Sequence, residues 1–442
     1  MANDAYELAR RRMVQMCGTR LPEDLGEKLV RETMSGELNW NIVMALAARN
    51  RTVAFLHAAL KKLRITDRMP PPLTEHLRRD YMHNYQRNLA FEAEVKQLLE
   101  AFGQAGLPLI VIRGVMMSER VFGNPALRSS NDIDILIRRE DLPRVKEVVR
   151  PLGFVQDPRS LEDVFYERHH LHLPYLKIER LVLLEIHWSY DHKYTPFNID
   201  TGATFADART VDYQGTSALE LGPEDLLVML CLHAFKHSCS IKYTLGRPEA
   251  EDLVLSDGGF TQFLDLHYGV EYVRETIDWE RFRQRVEDWN LQVPVLASLR
   301  MMEAFFRHDL EAKVPDVPGD PPVRFFERAC FNLLSRLFSP TKKQQEENRG
   351  GLYGWFDRFT KIFFFNTVRL FDIFSYIVPA PGFLRVRYRG WPRALFPLLY
   401  PWHLMVFAGQ ATLNLLDMAR FGLRKKLSGP VESPFGAPRA KG

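Results

Sequence analysis

Two aspartates, one residue apart on an apolar strand, constrain this chain more than any other feature of its 442 residues. In Leu109 to Ile137, LIVIRGVMMSERVFGNPALRSSNDIDILI, Asp132 and Asp134 alternate with Ile133 and Ile135. Strand side chains point to opposite faces in turn, so the two carboxylates share one face while the isoleucines turn to a core. Neighbouring buried carboxylates repel each other and raise their own pKa values unless a cation or a basic side chain compensates. Arg128 alone is thin compensation, and a divalent cation such as Mg²⁺ is the better one.

A chain of this length, with 46% hydrophobic and 26% charged residues, holds two or three globular domains with substantial cores. The formal net charge of +4 is too small for a protein that coats duplex nucleic acid, whose surface needs a dense basic field. Cys17, Cys231, Cys239 and Cys330 show no paired spacing, which fits reduced thiols. The N-terminus, MANDAYELARRRMVQMCGTR, has acidic residues and no apolar stretch of the kind a secretory signal needs. The expected location is the cytoplasm.

Periodicity divides the chain into four parts. Residues 1–105 carry apolar positions at helical spacing, with Pro70 to Pro72 as a break, and read as a helical domain. Residues 106–215 hold the aspartate pair. The pattern there predicts a strand over Leu107 to Ile112, a helix over Val115 to Phe122, a strand over Asp132 to Ile137, and a helix over Leu142 to Leu152 with Gly153 after it. Strands over His170 to Tyr175 and Leu181 to Trp188 follow. In the latter Leu183, Glu185 and His187 share a face, so Glu185 meets the aspartates if the two strands are neighbours. Residues 216–338 return to helical periodicity, interrupted over Leu245 to Gly259 by an acidic, glycine-containing loop.

Residues 339–442 comprise a polar linker, an aromatic helical tail and a disordered end, SGPVESPFGAPRAKG. Ala394 to Leu416 has no charged residue and precedes Arg420, Arg424, Lys425 and Lys426, and its length alone permits a membrane span. Pro397, Pro401, His403, Gln410 and Asn414 weigh against one. Docking on protein is the first expectation, and peripheral contact of 362–426 with the inner membrane face the second.

Gly114 after an apolar strand, then a helix, Asp132-Ile-Asp134 on the next strand and Glu185 on a later one together resemble the minimal nucleotidyltransferase fold of the DNA polymerase β superfamily. Within it the chain is most similar to the uncharacterised bacterial nucleotidyltransferase family. Gly114, Arg128, Asp132 and Asp134, Leu152 to Phe154, and Glu185 to Trp188 match that family's features in order. His233, Lys236-His237, Leu264-Asp265 and Ile277 to Trp279 resemble its helical portion, and the likeness covers about Leu107 to Asn290. It implies an α+β fold, a small mixed sheet with helices, embedded between helical N- and C-terminal regions. It further implies Mg²⁺- or Mn²⁺-dependent transfer of NMP from an NTP to an unidentified acceptor hydroxyl. Asp132, Asp134 and Glu185 would hold two metal ions and carry the catalysis, while Arg113, Gly114, Arg128, Lys236 and His237 would serve the nucleotide.

The superfamily usually has Gly-Ser or Gly-Gly where this chain has Gly114-Val115, and the stretch from Gly114 to Asp132 is long. The alternative is therefore a nucleotide-binding regulatory or scaffold protein with weak turnover, associated or not with a membrane surface. Plainer readings stand beside these. Arg128 pairs with Asp132 or caps the turn before the strand, and His187 is a half-buried partner of Glu185. His169, His170 and His172 are surface or packing histidines. His233 and His237 share a helix face flanked by Cys231 and Cys239, but Ala234 stands where zinc proteases need Glu, so helix packing is the preferred reading.

Overall fold

The structure, a computed structural model, describes residues 2–157, 171–191, 197–237 and 258–306, with isolated positions between and beyond these stretches. The chain divides into two compact units, Met1–Pro318 and Gly319–Gly442. The architecture below is that of the first. Apart from Leu398, Pro401 and Met405, the linker and aromatic tail expected over 339–442 lie outside the described residues, as do most of the loop at 245–259, His169, His170, Cys239 and Cys330.

The first unit opens with helices α1 (Ala2–Cys17), α2 (Leu25–Met34), α3 (Trp40–Arg49) and α4 (Val53–Lys62), then the long α5 (Pro71–Gln104). Pro71 and Pro72 occupy the first turn of α5, where a missing N–H costs nothing, and Gly106 with φ +62° ends the run. Asn39 caps α3 by accepting from the N–H groups of Asn41 and Ile42.

The α/β portion contains β1 (Ile110–Val111), α6 (Val115–Arg120), β2 (Asp132–Leu136), α7 (Leu142–Val149), β3 (Phe154–Gln156), β4 (His172–Lys177), β5 (Val182–His187), α8 (Thr201–Asp207), β6 (Arg209–Tyr213) and β7 (Thr216–Glu220). The strands form one mixed sheet in the order β3-β4-β5-β2-β1-β7-β6. The β2–β5 and β1–β7 pairs are parallel and the rest are antiparallel. The expected elements are present, most of them with shorter ends, and the strand expected over His170 to Tyr175 is shifted to His172–Lys177. Three strands go beyond them: β3, and the β6–β7 hairpin that extends the other edge. That hairpin turns on Gln214 and Gly215, both at positive φ, as a two-residue turn matching strand twist requires.

One face of the sheet is apolar. Ile133 and Ile135 of β2, with Leu184 and Ile186 of β5, pack with Phe91, Val95, Leu98 and Phe102 of α5. Because side chains alternate, burying the isoleucines turns Asp132, Asp134 and Glu185 to the opposite face. Helices α9 (Pro223–His237), α10 (Phe260–Val273), α11 (Trp279–Asp288) and α12 (Gln292–Phe305) follow among the described residues, and α9 packs on α10, α11 and α12.

Candidate active site

β2 and β5 run parallel with Asp134 opposite Glu185 and Asp132 opposite Leu183. Adjacent strands lie about 4.8 Å apart, so the register alone brings Glu185 beside the aspartate pair. Asp134 is almost fully buried at 1% exposure, while Asp132 and Glu185 keep partial access to solvent. Burial, and then the charge of Asp134, push the Asp132 carboxyl up to about 6.

Asp134 is held differently. Burial alone would raise its carboxyl, but the nearby Arg113 charge and the hydrogen bond from His187 outweigh burial and hold it well below the usual range. Arg113 Nη2 stands 3.0 Å from Asp134 Oδ1, and its Nη1 donates to the His233 ring of α9 at 2.6 Å. Burial and the Arg113 charge keep His233 well below the ordinary histidine value, so the ring is neutral and accepts this bond. Arg113 thus ties the carboxylate face of the sheet to α9.

His187 Nε2 lies 3.0 Å from Asp134 Oδ1 and 3.3 Å from Glu185 Oε2. Burial disfavours the charged ring, yet the hydrogen bonds to Asp134 and Glu185 prevail and raise it above the ordinary value. His187 is therefore a buried partner of both carboxylates, more engaged than the half-buried partner of Glu185 expected from sequence.

Gly114 follows β1 with φ +91° and ψ −141°, a conformation that side-chain-bearing residues avoid. A Cβ there would lie 3.2 Å from the Asp132 carbonyl oxygen, so the glycine lets the start of α6 pass close to β2.

The long stretch between Gly114 and Asp132 is pinned to α5. Asn88 Nδ2 donates to the carbonyls of Pro125 and Arg128 at 2.5 and 2.7 Å, and Asn84 donates to that of Ala126. Ser118 Oγ donates to the Arg128 carbonyl as well, at 3.0 Å. This anchoring aims the Arg128 side chain at α10, where its Nε and Nη2 donate to the two oxygens of Asp265 at 2.8 and 2.9 Å. Its partner is Asp265 of the helical portion, a partner that none of the readings of Arg128 from sequence (the nucleotide, Asp132 or the turn before the strand) had named.

Lys236, at the end of α9, donates to the Tyr190 carbonyl at 2.9 Å and lies 3.4 Å from Asp191, so it grips the segment that follows β5. The His237 ring meets that of His233 at 4.4 Å. Arg113, Asp132, Asp134, Glu185 and His187 thus come together, with Arg128 beside them, whereas Lys236 and His237 sit at the helix end beyond His233. Two participants escaped the sequence reading. His233 was read as a helix-face histidine within the family likeness, with no site role, and His172, cross-strand from His187, as a surface or packing histidine. The Leu264-Asp265 pair of the family likeness was the one signal that pointed to the Arg128 partner. Cys17 and Cys231 are buried thiols.

An α+β unit with a mixed sheet, a glycine turn after its first strand and carboxylates converging from two parallel neighbours has the architecture of a nucleotidyltransferase. Residues 36–307, more than half of the chain, match the family described as uncharacterised nucleotidyltransferase, and the chain belongs to that family. Comparison with curated proteins and with solved structures gives no match. Among the described residues, no helix is long and apolar enough to cross a membrane.

Proposed function

We propose that the protein transfers NMP from an NTP to an acceptor hydroxyl by a two-metal mechanism, with Asp132, Asp134 and Glu185 as ligands for Mg²⁺ or Mn²⁺. The observation that carries this reading is the parallel register that sets Glu185 opposite Asp134 and beside Asp132. The donor set fits the ions: hard carboxylate oxygens suit Mg²⁺ and Mn²⁺, and the elevated Asp132 carboxyl marks negative charge that a cation would relieve. Bound there, such ions lower the pKa of the acceptor hydroxyl and neutralise charge on the triphosphate.

The remaining work falls to the chain. Arg113 and His187 orient Asp134 by binding one of its oxygens, which fixes the carboxylate before any ligand arrives. Gly114 keeps the backbone beside Asp132 clear for a phosphate. Arg128 contributes positive charge near both aspartates while its bond to Asp265 holds α10 over the site. Lys236 and His237 are assigned to the outer phosphates, where the Lys236 ammonium supplies positive charge at the end of α9. The acceptor lies between the carboxylate face and α10.

The Arg113–Asp134 ion pair favours a second reading, a nucleotide-binding regulatory or scaffold protein with weak turnover, because an arginine on a metal-holding carboxylate competes with the cation. Equilibrium binding of a fluorescent NTP with and without Mg²⁺ tests the metal site that the transfer reading needs. The expected result is affinity at least about tenfold tighter with Mg²⁺, an advantage of about 1.4 kcal/mol, lost in Asp132→Asn. Equal affinity with and without the ion would overturn the proposed site.

A further inference from the structure

We propose that His172, Glu185 and His187 form a binding site for a borderline divalent cation, for which Zn²⁺ is the probe, next to the β2 aspartates. The strands build the site directly. His172 of β4 is the register partner of His187 of β5, and Glu185 lies two residues earlier on the same face of β5. The imidazole rings stand 4.7 Å apart. Glu185 Oε2 is 3.3 Å from His187 Nε2 and 3.8 Å from His172 Nδ1, and one ligand atom from each residue falls within 4.8 Å of the others. Metal–ligand bonds of about 2.0–2.1 Å at tetrahedral angles put neighbouring ligand atoms roughly 3.3 Å apart, so small side-chain movements close this set on one ion.

Two further features point to a ligand. His187 Nε2 faces both Asp134 and Glu185, and its single hydrogen cannot serve both well. Its Nδ1 is buried with no hydrogen-bond partner among the described residues, so the ring is aimed by its Nε2 end alone. A cation shared by Nε2 and the carboxylates satisfies both acids at once.

Imidazole nitrogen selects Zn²⁺, Ni²⁺ and similar ions over Mg²⁺ and Mn²⁺, which favour oxygen. The inference goes beyond the transfer reading, with which it shares Glu185 and His187: with the ion bound, His187 Nε2 holds the metal and Arg113 alone orients Asp134. A borderline ion held here occupies the Glu185 side of the site, leaving the Asp132 side to the ion that accompanies the triphosphate.

The test is Zn²⁺ binding to the full chain by equilibrium dialysis with metal analysis, and it needs no turnover. One equivalent is expected in the wild type and in Asp132→Asn, and affinity at least about tenfold weaker in His172→Ala. Circular dichroism checks folding, and Glu185→Gln, close in shape, replaces His172→Ala if that variant fails to fold. Wild-type protein that takes up no Zn²⁺ at micromolar concentration, or unchanged binding in the folded variant, would overturn the inference. Zinc binding without nucleotidyl transfer leaves the inference standing and removes the transfer reading. Mg²⁺-supported transfer without zinc binding does the reverse.

Discussion

Arg128 and Asp265 join the loop before the metal-facing strand to helix α10 through two parallel hydrogen bonds of 2.8 and 2.9 Å. Their side chains are 11% and 2% exposed, so neither charge has water to fall back on. Replacing Arg128 with alanine strands a buried carboxylate, and breaking a buried pair from one side costs about 3–5 kcal/mol. Asp265→Ala strands the guanidinium and costs a similar amount. The double variant buries neither charge and is expected to lose no more than either single one, giving a coupling energy of at least about 3 kcal/mol. Arg128→Lys recovers less than half of the loss, because an ammonium group cannot reproduce the two-pronged geometry. Denaturant unfolding of the full chain through the four-membered cycle measures these quantities. A cost below about 1 kcal/mol in either single variant, or strict additivity in the double variant, would refute a buried pair and with it the docking of α10 against the Arg128 loop.

Two other perturbations test neighbouring parts of the account. Gly114→Ala forces a side chain into the φ +91° conformation against the Asp132 carbonyl, and is expected to cost about 1–3 kcal/mol in unfolding free energy and to weaken Mg²⁺-dependent NTP binding. His267 Nε2 accepts the Thr19 N–H at 3.1 Å, so Nδ1 carries the proton and donates to His308 at 2.6 Å. Burial, helped by His308, lowers this ring from 6.5 to about 3. The unfolded chain therefore takes up the proton first. The contribution of His267 is complete above pH 6.5 and is lost as pH falls from there toward 3, at up to about 1.4 kcal/mol per pH unit. Unfolding free energies measured against pH should show a shallower acid slope in His267→Gln than in the wild type.

The central motif was legible because its information is local. Alternation along Asp132 to Leu136 states which residues share a face, and the same rule placed Glu185 and His187 together on β5. Whether β2 and β5 are neighbours is a non-local fact, and the family resemblance, more than the pattern, supplied it. The partner of Arg128 was hidden for the same reason: Asp265 lies 137 positions away in a different structural layer. His172 looked ordinary because its role depends on being opposite His187, a matter of register that no single strand records. The β6–β7 hairpin was missed because Gln214-Gly215 is a weaker turn signal than Asn-Gly or Asp-Gly, and β3 because three residues carry too little alternation to read. The length of the Gly114–Asp132 stretch looked like a departure from the family. Its bonds to Asn84 and Asn88 show that α5 holds it in place.

The most direct test of the three-carboxylate site is label transfer. The full chain is incubated with each α-labelled NTP, Mg²⁺ or Mn²⁺, and cell extract as the source of acceptor, beside the Asp132→Ala, Asp134→Ala double variant checked for folding. The expected result is metal-dependent incorporation of label by the wild type with at least one NTP, and a fall to background in the double variant. Label transfer that persists without the two carboxylates would contradict the assignment of the site, and no transfer with any of the NTPs would contradict the proposed reaction.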